Sequence, residues 1–111
     1  MANDRWPLHI DSRVGPHETV VVASGEVSRT TSVRLNEELR RHAGRVAIDL
    51  KAVDYMNVTG ISLLLKEKRR LEQSGGSLRI IGGNKLRSLF EMTGLRGVLD
   101  VQDSDSGSVA E

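Results

Sequence analysis

The sequence predicts an α/β fold in which helices cover a mostly parallel sheet with one antiparallel edge strand. Short runs rich in β-branched residues alternate with stretches whose apolar residues recur at helical spacing, which indicates parallel strands joined by helices. The first two runs are instead separated by a tight turn, which is typical of an antiparallel pair. The element order is β-β-α-β-α-β-α-β, and the length of 111 residues suits one domain.

The first two strands are predicted at residues 8–14 and 19–24. Residues 8–14 alternate loosely between apolar and polar types, as a half-exposed strand does. Residues 15–18 form the turn, because Pro16 presets φ and Gly15 tolerates positive φ. Residues 19–24 are continuous and β-branched, which predicts a central strand buried on both faces.

The first helix is predicted to begin among several hydroxyl residues and to end at Gly44. Its possible N-caps are Ser28, Thr30, Thr31 and Ser32. Its apolar side is formed by Val33, Leu35, Leu39, His42 and Ala43. The third strand follows at residues 45–50, and residues 51–56 are predicted to be a loop.

The second helix is predicted to begin at Val58 or Thr59 and to stop at Gly75-Gly76. Its apolar stripe consists of Ile61, Leu64, Leu65 and Leu71, interrupted by Lys68. The charged run 66–70, which includes Glu67, is predicted to be a solvated helix face, with a docking patch as the alternative.

The last elements are a strand at residues 77–81, a short helix from the capping Asn84 to about Met92, and a strand at residues 98–101. Gly94 is predicted to end the helix in a left-handed conformation. We expect residues 1–101 to form the single domain. Residues 102–111 are expected to be an acidic tail or a short terminal helix.

The composition excludes several classes of function. The absence of cysteine excludes disulfides and thiolate zinc sites, and three scattered histidines indicate neither a metal site nor a catalytic dyad. Aromatic residues are only 3% of the chain, too few to stack on single-stranded nucleic acid. The net charge of +1 argues against binding to duplexes, but residues 58–101 hold eight basic and four acidic residues. That segment suits docking to an acidic protein surface or a nucleotide.

No apolar run approaches the roughly 18 residues of a membrane span, and no secretory signal follows Met1. We therefore expect a cytoplasmic protein without membrane insertion, cofactor or bound nucleic acid. A nucleotide-binding module or small enzyme using residues 66–70 with Lys85 is an alternative. However, no acid–base pair supports catalysis, so no catalytic residue is predicted.

Thr59 is the most informative polar residue, because it follows a strand and lies at or next to the N-terminus of a helix. Free N–H groups and the helix dipole favour negative charge there, so a phosphate attached to Thr59 would be tolerated. The simpler interpretation is that Thr59 caps the helix. These residues alone leave both interpretations open.

Four blocks of residues carry a family likeness over about residues 8–101. They are Gly25-Glu26-Val27-Ser28, Tyr55-Met56-Asn57-Val58-Thr59-Gly60-Ile61, Gly75-Gly76-Ser77-Leu78 and Leu86-Arg87-Ser88-Leu89-Phe90-Glu91-Met92-Thr93-Gly94-Leu95. In order and spacing they resemble STAS domains, and in particular the bacterial anti-sigma factor antagonists.

The resemblance implies a STAS-type fold and a regulatory switch rather than an enzyme. Such proteins bind a cognate anti-sigma factor that is also a serine/threonine kinase, and thereby free the sigma factor. The kinase phosphorylates one hydroxyl, which by motif position is Thr59, and a metal-dependent phosphatase restores it. The implied partner-binding surface comprises Gly25, Glu26, Ser28, Asn57, Val58, Thr59, Gly60, Ile61 and Ser62, with Met92, Thr93 and Gly94 close by.

Two residues depart from the family pattern, because Asn57 and Ser28 stand where acidic residues are usual. The loss of two carboxylates reduces repulsion against a phosphate on Thr59. Equally, it removes possible kinase contacts and would suit an antagonist that is never phosphorylated. The alternative function is therefore a constitutive STAS scaffold or accessory subunit, of stressosome or lipid-transport type.

Overall fold

The computed structural model describes residues 7–95, 99 and 101–102. Within that part of the chain, five strands and three helices confirm the predicted fold class. The strands are β1 Leu8–Val14, β2 Thr19–Val27, β3 Arg45–Met56, β4 Ser77–Ile81 and β5 Val101–Gln102. The helices are α1 Ser32–Arg40, α2 Val58–Gln73 and α3 Asn84–Met92.

The five strands form one sheet in the order β1-β2-β3-β4-β5. β1 pairs with β2 in antiparallel orientation, as predicted, and the remaining neighbours are parallel. Consequently the carboxyl ends of β2, β3 and β4 meet at one edge of the sheet. The segments that lead into α1, α2 and α3 begin at this edge, where functional groups gather in such folds.

The core lies between one face of the sheet and the helices. Val21, Ile48 and Ile80 are paired neighbours on that face, and Leu64 of α2 packs in the same cluster. The prediction that residues 19–24 are buried on both faces is wrong, because Val20 and Val22 on the opposite face are only partly buried.

Several predicted boundaries are corrected. β3 continues to Met56 where a loop at 51–56 was predicted, because a longer β2 pairs with it through two register shifts as far as Val27. α1 ends at Arg40, three residues before the last predicted apolar position. Gly83, not Asn84, is the N-cap of α3, whereas Gly94 has the predicted positive φ, 74°.

The C-terminal strand is also shorter than predicted. β5 comprises Val101–Gln102, and Leu99 lies in a buried bend whose N–H donates to the carbonyl of Leu95 at 2.8 Å. Residues 98 and 100 of the predicted strand lie outside the described residues. So do residues 103–111 of the predicted tail, while Gln102 belongs to the sheet.

The charged run on α2 is not a uniformly solvated face, because Glu67 is fully buried. Its Oε1 accepts a hydrogen bond from Arg70 Nε at 2.8 Å. Arg70 Nη2 also donates to the carbonyls of Leu39, at 3.0 Å, and His42, at 3.2 Å. A buried acid and its arginine therefore join α2 to the end of α1.

Candidate functional site

Asn57 caps α2 at the edge where the strands end. Its backbone is extended, and its Oδ1 accepts hydrogen bonds from the N–H groups of Thr59, at 2.9 Å, and Gly60, at 3.3 Å. The interpretation that Thr59 is the cap is therefore wrong, and Thr59 lies inside the first turn. Asn57 also occupies two of the N–H groups that were expected to be free for an anion.

Gly60 brings α2 close to the ends of β2 and β3. A Cβ atom on Gly60 would lie 2.7 Å from Val27 Cγ1 and 2.8 Å from Met56 Cγ. The Asn57 N–H donates to the carbonyl of Val27 at 2.9 Å, which fixes the same approach. Glycine therefore follows Thr59 for a packing reason.

The neighbouring loop after β2 is held by hydrogen bonds between its own residues. Ser28 N–H donates to Thr31 Oγ1 at 2.8 Å, and the Thr31 hydroxyl donates to the carbonyl of Glu26 at 2.8 Å. Gly25 has φ of 108°, and a Cβ there would lie 2.0 Å from the carbonyl oxygen of Pro7. The end of β2 thus presents Glu26 to solvent on a backbone that these contacts hold in place.

Thr59 lines a cavity of about 280 Å³ between α1 and the first turns of α2. Its side chain is half-buried, and its hydroxyl has no protein hydrogen-bond partner among the described residues. Val33 and Ser62 also line this cavity, and Val33 and the adjacent Val58 are 55% and 70% exposed. The hydroxyl therefore lies on a partly apolar surface at the positive end of a helix dipole.

The structure brings together only part of the predicted surface. Asn57, Val58, Thr59 and Ser62 lie at the start of α2, next to the Gly25–Ser28 segment, whereas Gly60 and Ile61 are buried beneath them. Met92, Thr93 and Gly94 lie at the far end of α3, whose nine residues extend about 13 Å from the edge where Thr59 lies. Thr93 Oγ1 there donates to carbonyls of α3 itself.

Sequence reasoning missed Val33, Asn36 and Lys66, which line the Thr59 cavity. Val33 was assigned to the apolar side of its helix together with Leu35. Residues two apart do not share a helix face, and Leu35 is buried while Val33 is exposed. The spacing itself therefore contained the signal for Val33.

Ser12, Glu38 and His42 form a polar cluster between β1 and α1. Ser12 Oγ donates to Glu38 Oε2, and His42 Nε2 lies 3.3 Å from both Ser12 Oγ and Glu38 Oε2. Ser–His–acid triads use a separate ring nitrogen for each partner, whereas this cluster uses one. The hydrogen bond from Ser12 lowers the pKa of Glu38, reinforced by His42 and Arg41 and opposed by burial.

Other kinds of site find no support in the part of the chain that is described. No group of three potential metal-ligating side chains occurs there. None of its helices is long and apolar enough to cross a membrane. Lys85 lines a cavity with Tyr55 and Leu89, apart from the 66–70 run with which a nucleotide site was considered.

Comparison with known proteins places the chain in a family. The family model described as "Mlab, STAS domain" matches residues 10–101. The anti-sigma-B factor antagonist of Staphylococcus aureus strain NCTC 8325 is 32% identical over 101 residues, which cover 86% of this chain and 94% of that protein.

Two solved structures share the fold. An anti-sigma factor antagonist from Mycobacterium paratuberculosis has a TM-score of 0.80 at 19% identity, covering 93% of this chain and 92% of its own. The phosphorylated form of the Bacillus cell fate determinant SpoIIAA has a TM-score of 0.68 at 15% identity, covering 92% and 98%. With the matched residues spanning most of the sheet and both helices of the Thr59 cavity, the chain belongs to the STAS domain family, among the anti-sigma factor antagonists.

Proposed function

We propose that this protein binds a cognate anti-sigma factor with serine/threonine kinase activity, frees the sigma factor, and is switched by phosphorylation of Thr59. The observation that carries the proposal is the position of the Thr59 hydroxyl at the start of α2. It has no partner among the described residues, shares its cavity with the exposed Val33 of α1, and follows the exposed Val58 in the chain. The switch needs no catalytic residue of this chain, because the partners supply the chemistry in the cytoplasm.

Phosphorylation would change the charge of this surface without changing the fold. The Thr59 oxygen would attack the γ-phosphorus of ATP, losing its proton and releasing ADP. The product carries about −1.5 to −2 charges near neutral pH. The dipole of α2 tolerates this charge, and the neutral cap Asn57 does not repel it. The partner, in contrast, would have to desolvate the phosphate beside Val33 and Val58, which opposes binding.

The direct test uses the cognate anti-sigma factor, sought first among the products of neighbouring genes. After incubation with ATP, mass spectrometry should locate one phosphate on Thr59. By isothermal titration calorimetry, Thr59→Ala should bind like the wild type, and Thr59→Glu should bind at least tenfold more weakly.

Ser62→Ala is the matched control, since Ser62 lines the same cavity one turn later. It should still be phosphorylated. A phosphate located elsewhere, or binding unchanged by Thr59→Glu, would refute the switch.

The second candidate function is a constitutive STAS scaffold or accessory subunit of stressosome or lipid-transport type. It is favoured by the neutral Asn57 and Ser28, both engaged in local hydrogen bonds, and by the "Mlab" description of the family model. Neighbouring genes for a permease and an ATPase, and a large complex on gel filtration, would support it. A metal-dependent phosphatase gene nearby would support the switch.

A further inference from the structure

The Thr59 cavity continues as a groove between α1 and α2. A second cavity of about 450 Å³ adjoins it, and Ser62 and Lys66 line both. The groove runs along α2 from Thr59 to Gln73, a rise of about 20 Å. An extended peptide of about six residues spans that length.

The end of the groove distant from Thr59 is basic. Arg40, Lys66 and Arg69 line it, and within the part of the chain that is described their side chains have no hydrogen bond or ion pair. The acidic residue there, Glu67, already binds Arg70 at 2.8 Å. Three uncompensated positive charges therefore share one concave surface, which favours a ligand with carboxylate or phosphate groups.

The groove also has apolar lining. Leu65 lines its basic part, and Val33, which is 55% exposed, lines the part next to Thr59. The buried oxygens Asn36 Oδ1 and Glu67 Oε2 have almost no exposed surface, so a ligand in the groove does not reach them. A peptide can place apolar side chains against Leu65 and Val33, whereas a phosphodiester backbone cannot.

We infer that the α1–α2 groove binds an extended acidic segment of a protein partner. Carboxylates of that segment contact Arg40, Lys66 and Arg69, while its apolar side chains pack against Val33 and Leu65. The inference deepens the proposed function. One part of it rests on that function, namely that a phosphate on Thr59 would share the cavity with Lys66 and compete with the acidic segment. Release of the partner would then follow from competition for the same cation.

The test uses a fluorescein-labelled octapeptide of alternating Glu and Leu, with a matched Lys–Leu octapeptide, at low and high salt. The acidic peptide should raise fluorescence anisotropy saturably and shift amide resonances of α1 and α2 in ¹⁵N-labelled protein. K66Q/R69Q should bind it at least tenfold more weakly. K85Q removes a charge outside the groove and should bind it like the wild type.

Any one of four results with the peptides would overturn the inference. The first two are the absence of saturable binding of the acidic peptide and equal affinity for the Lys–Leu peptide. The other two are an equal loss of affinity in K85Q and K66Q/R69Q, and resonance shifts confined to elements other than α1 and α2. Displacement of the peptide by a 12-base-pair DNA duplex at equal concentration would also overturn it, in favour of a nucleic-acid surface.

The Thr59→Glu variant separates this inference from the proposed function. It should bind the acidic peptide more weakly than the wild type does. In a protein that already carries K66Q, adding Thr59→Glu should cause no further loss of affinity. If Thr59→Glu weakens binding of the anti-sigma factor while K66Q/R69Q binds the acidic peptide as the wild type does, the switch stands and the groove inference falls. If the groove variants lose the peptide but the kinase never modifies Thr59, the groove stands and the phosphorylation switch falls.

Discussion

Gly60 determines how closely α2 approaches the ends of β2 and β3. Because the nearest atom to an added Cβ is Val27 Cγ1 at 2.7 Å, on a stiff β-branched side chain, Gly60→Ser should lower the free energy of unfolding by about 1–3 kcal/mol. Urea denaturation measures the loss. Gly83→Ser is the matched control, since a Cβ there meets nothing within 4 Å and serine is a good N-cap; equal losses in both variants would contradict the packing role.

At the same scale, sequence reasoning found the right position for Thr59 but not the residue that caps its helix. Asn57 and Thr59 are both residue types that cap helices, and the choice between them depends on where the preceding strand ends. That strand was predicted to stop at residue 50 and in fact ends at Met56, immediately before Asn57. Its last residues are paired through irregular register shifts with β2, which periodicity does not reveal.

At the scale of elements, Glu67 and Arg70 join α2 to α1. Glu67 lies three residues after Leu64 and four before Leu71, so the helical stripe itself predicts a buried position. Residue type pointed the other way, because glutamate is rarely buried unless it is paired. The pairing uses Arg70, which also donates to the carbonyls of Leu39 in α1 and of His42 just after it. Spacing within one helix does not determine this tertiary arrangement.

This link predicts non-additive mutational effects. Arg70→Met would leave the Glu67 carboxylate buried without its partner, and we expect a loss of about 2–4 kcal/mol in the free energy of unfolding. Glu67→Leu combined with Arg70→Met should be closer to the wild type than Arg70→Met alone, because an apolar pair needs no hydrogen bonds. Urea denaturation of the two single variants and the double variant measures the coupling, and simple additivity would show that the pair does not act as a unit.

For the whole molecule, the alternation of strands and helices was enough to predict the parallel sheet and its antiparallel edge. Periodicity could not show that the face with Val20 and Val22 is left only partly covered by the described residues. Whether a sheet face is covered depends on the side on which each connecting helix packs. A continuous run of β-branched residues is compatible with a strand that has either one or both faces covered. The consequence is that the helices, and with them the Thr59 groove, share one side of the sheet.

On the same side of the sheet, the Ser12–Glu38–His42 cluster is a polar link between the edge strand β1 and α1, alongside the hydrogen bond from Arg34 to the carbonyl of Leu8. The pKa of Glu38 is lowered in the folded protein, first by the Ser12 hydrogen bond and further by His42 and Arg41. The ionised Glu38 therefore stabilises the folded protein. This stabilisation is fully present above about pH 4.3, where an unfolded glutamate is ionised. It is lost as the pH falls through the lower pKa of the folded state, because the unfolded chain then binds the proton more readily.

We therefore expect Glu38→Gln to reduce the fall in stability between pH 5 and pH 3 relative to the wild type, as measured by urea denaturation at closely spaced pH values. Glu37→Gln is the matched control, since its exposed neighbouring carboxylate is not part of the cluster. Ser12→Ala should resemble Glu38→Gln, because it removes the hydrogen bond that contributes most to the shift. If all three variants keep the wild-type dependence on pH, the link between β1 and α1 does not depend on the ionised Glu38.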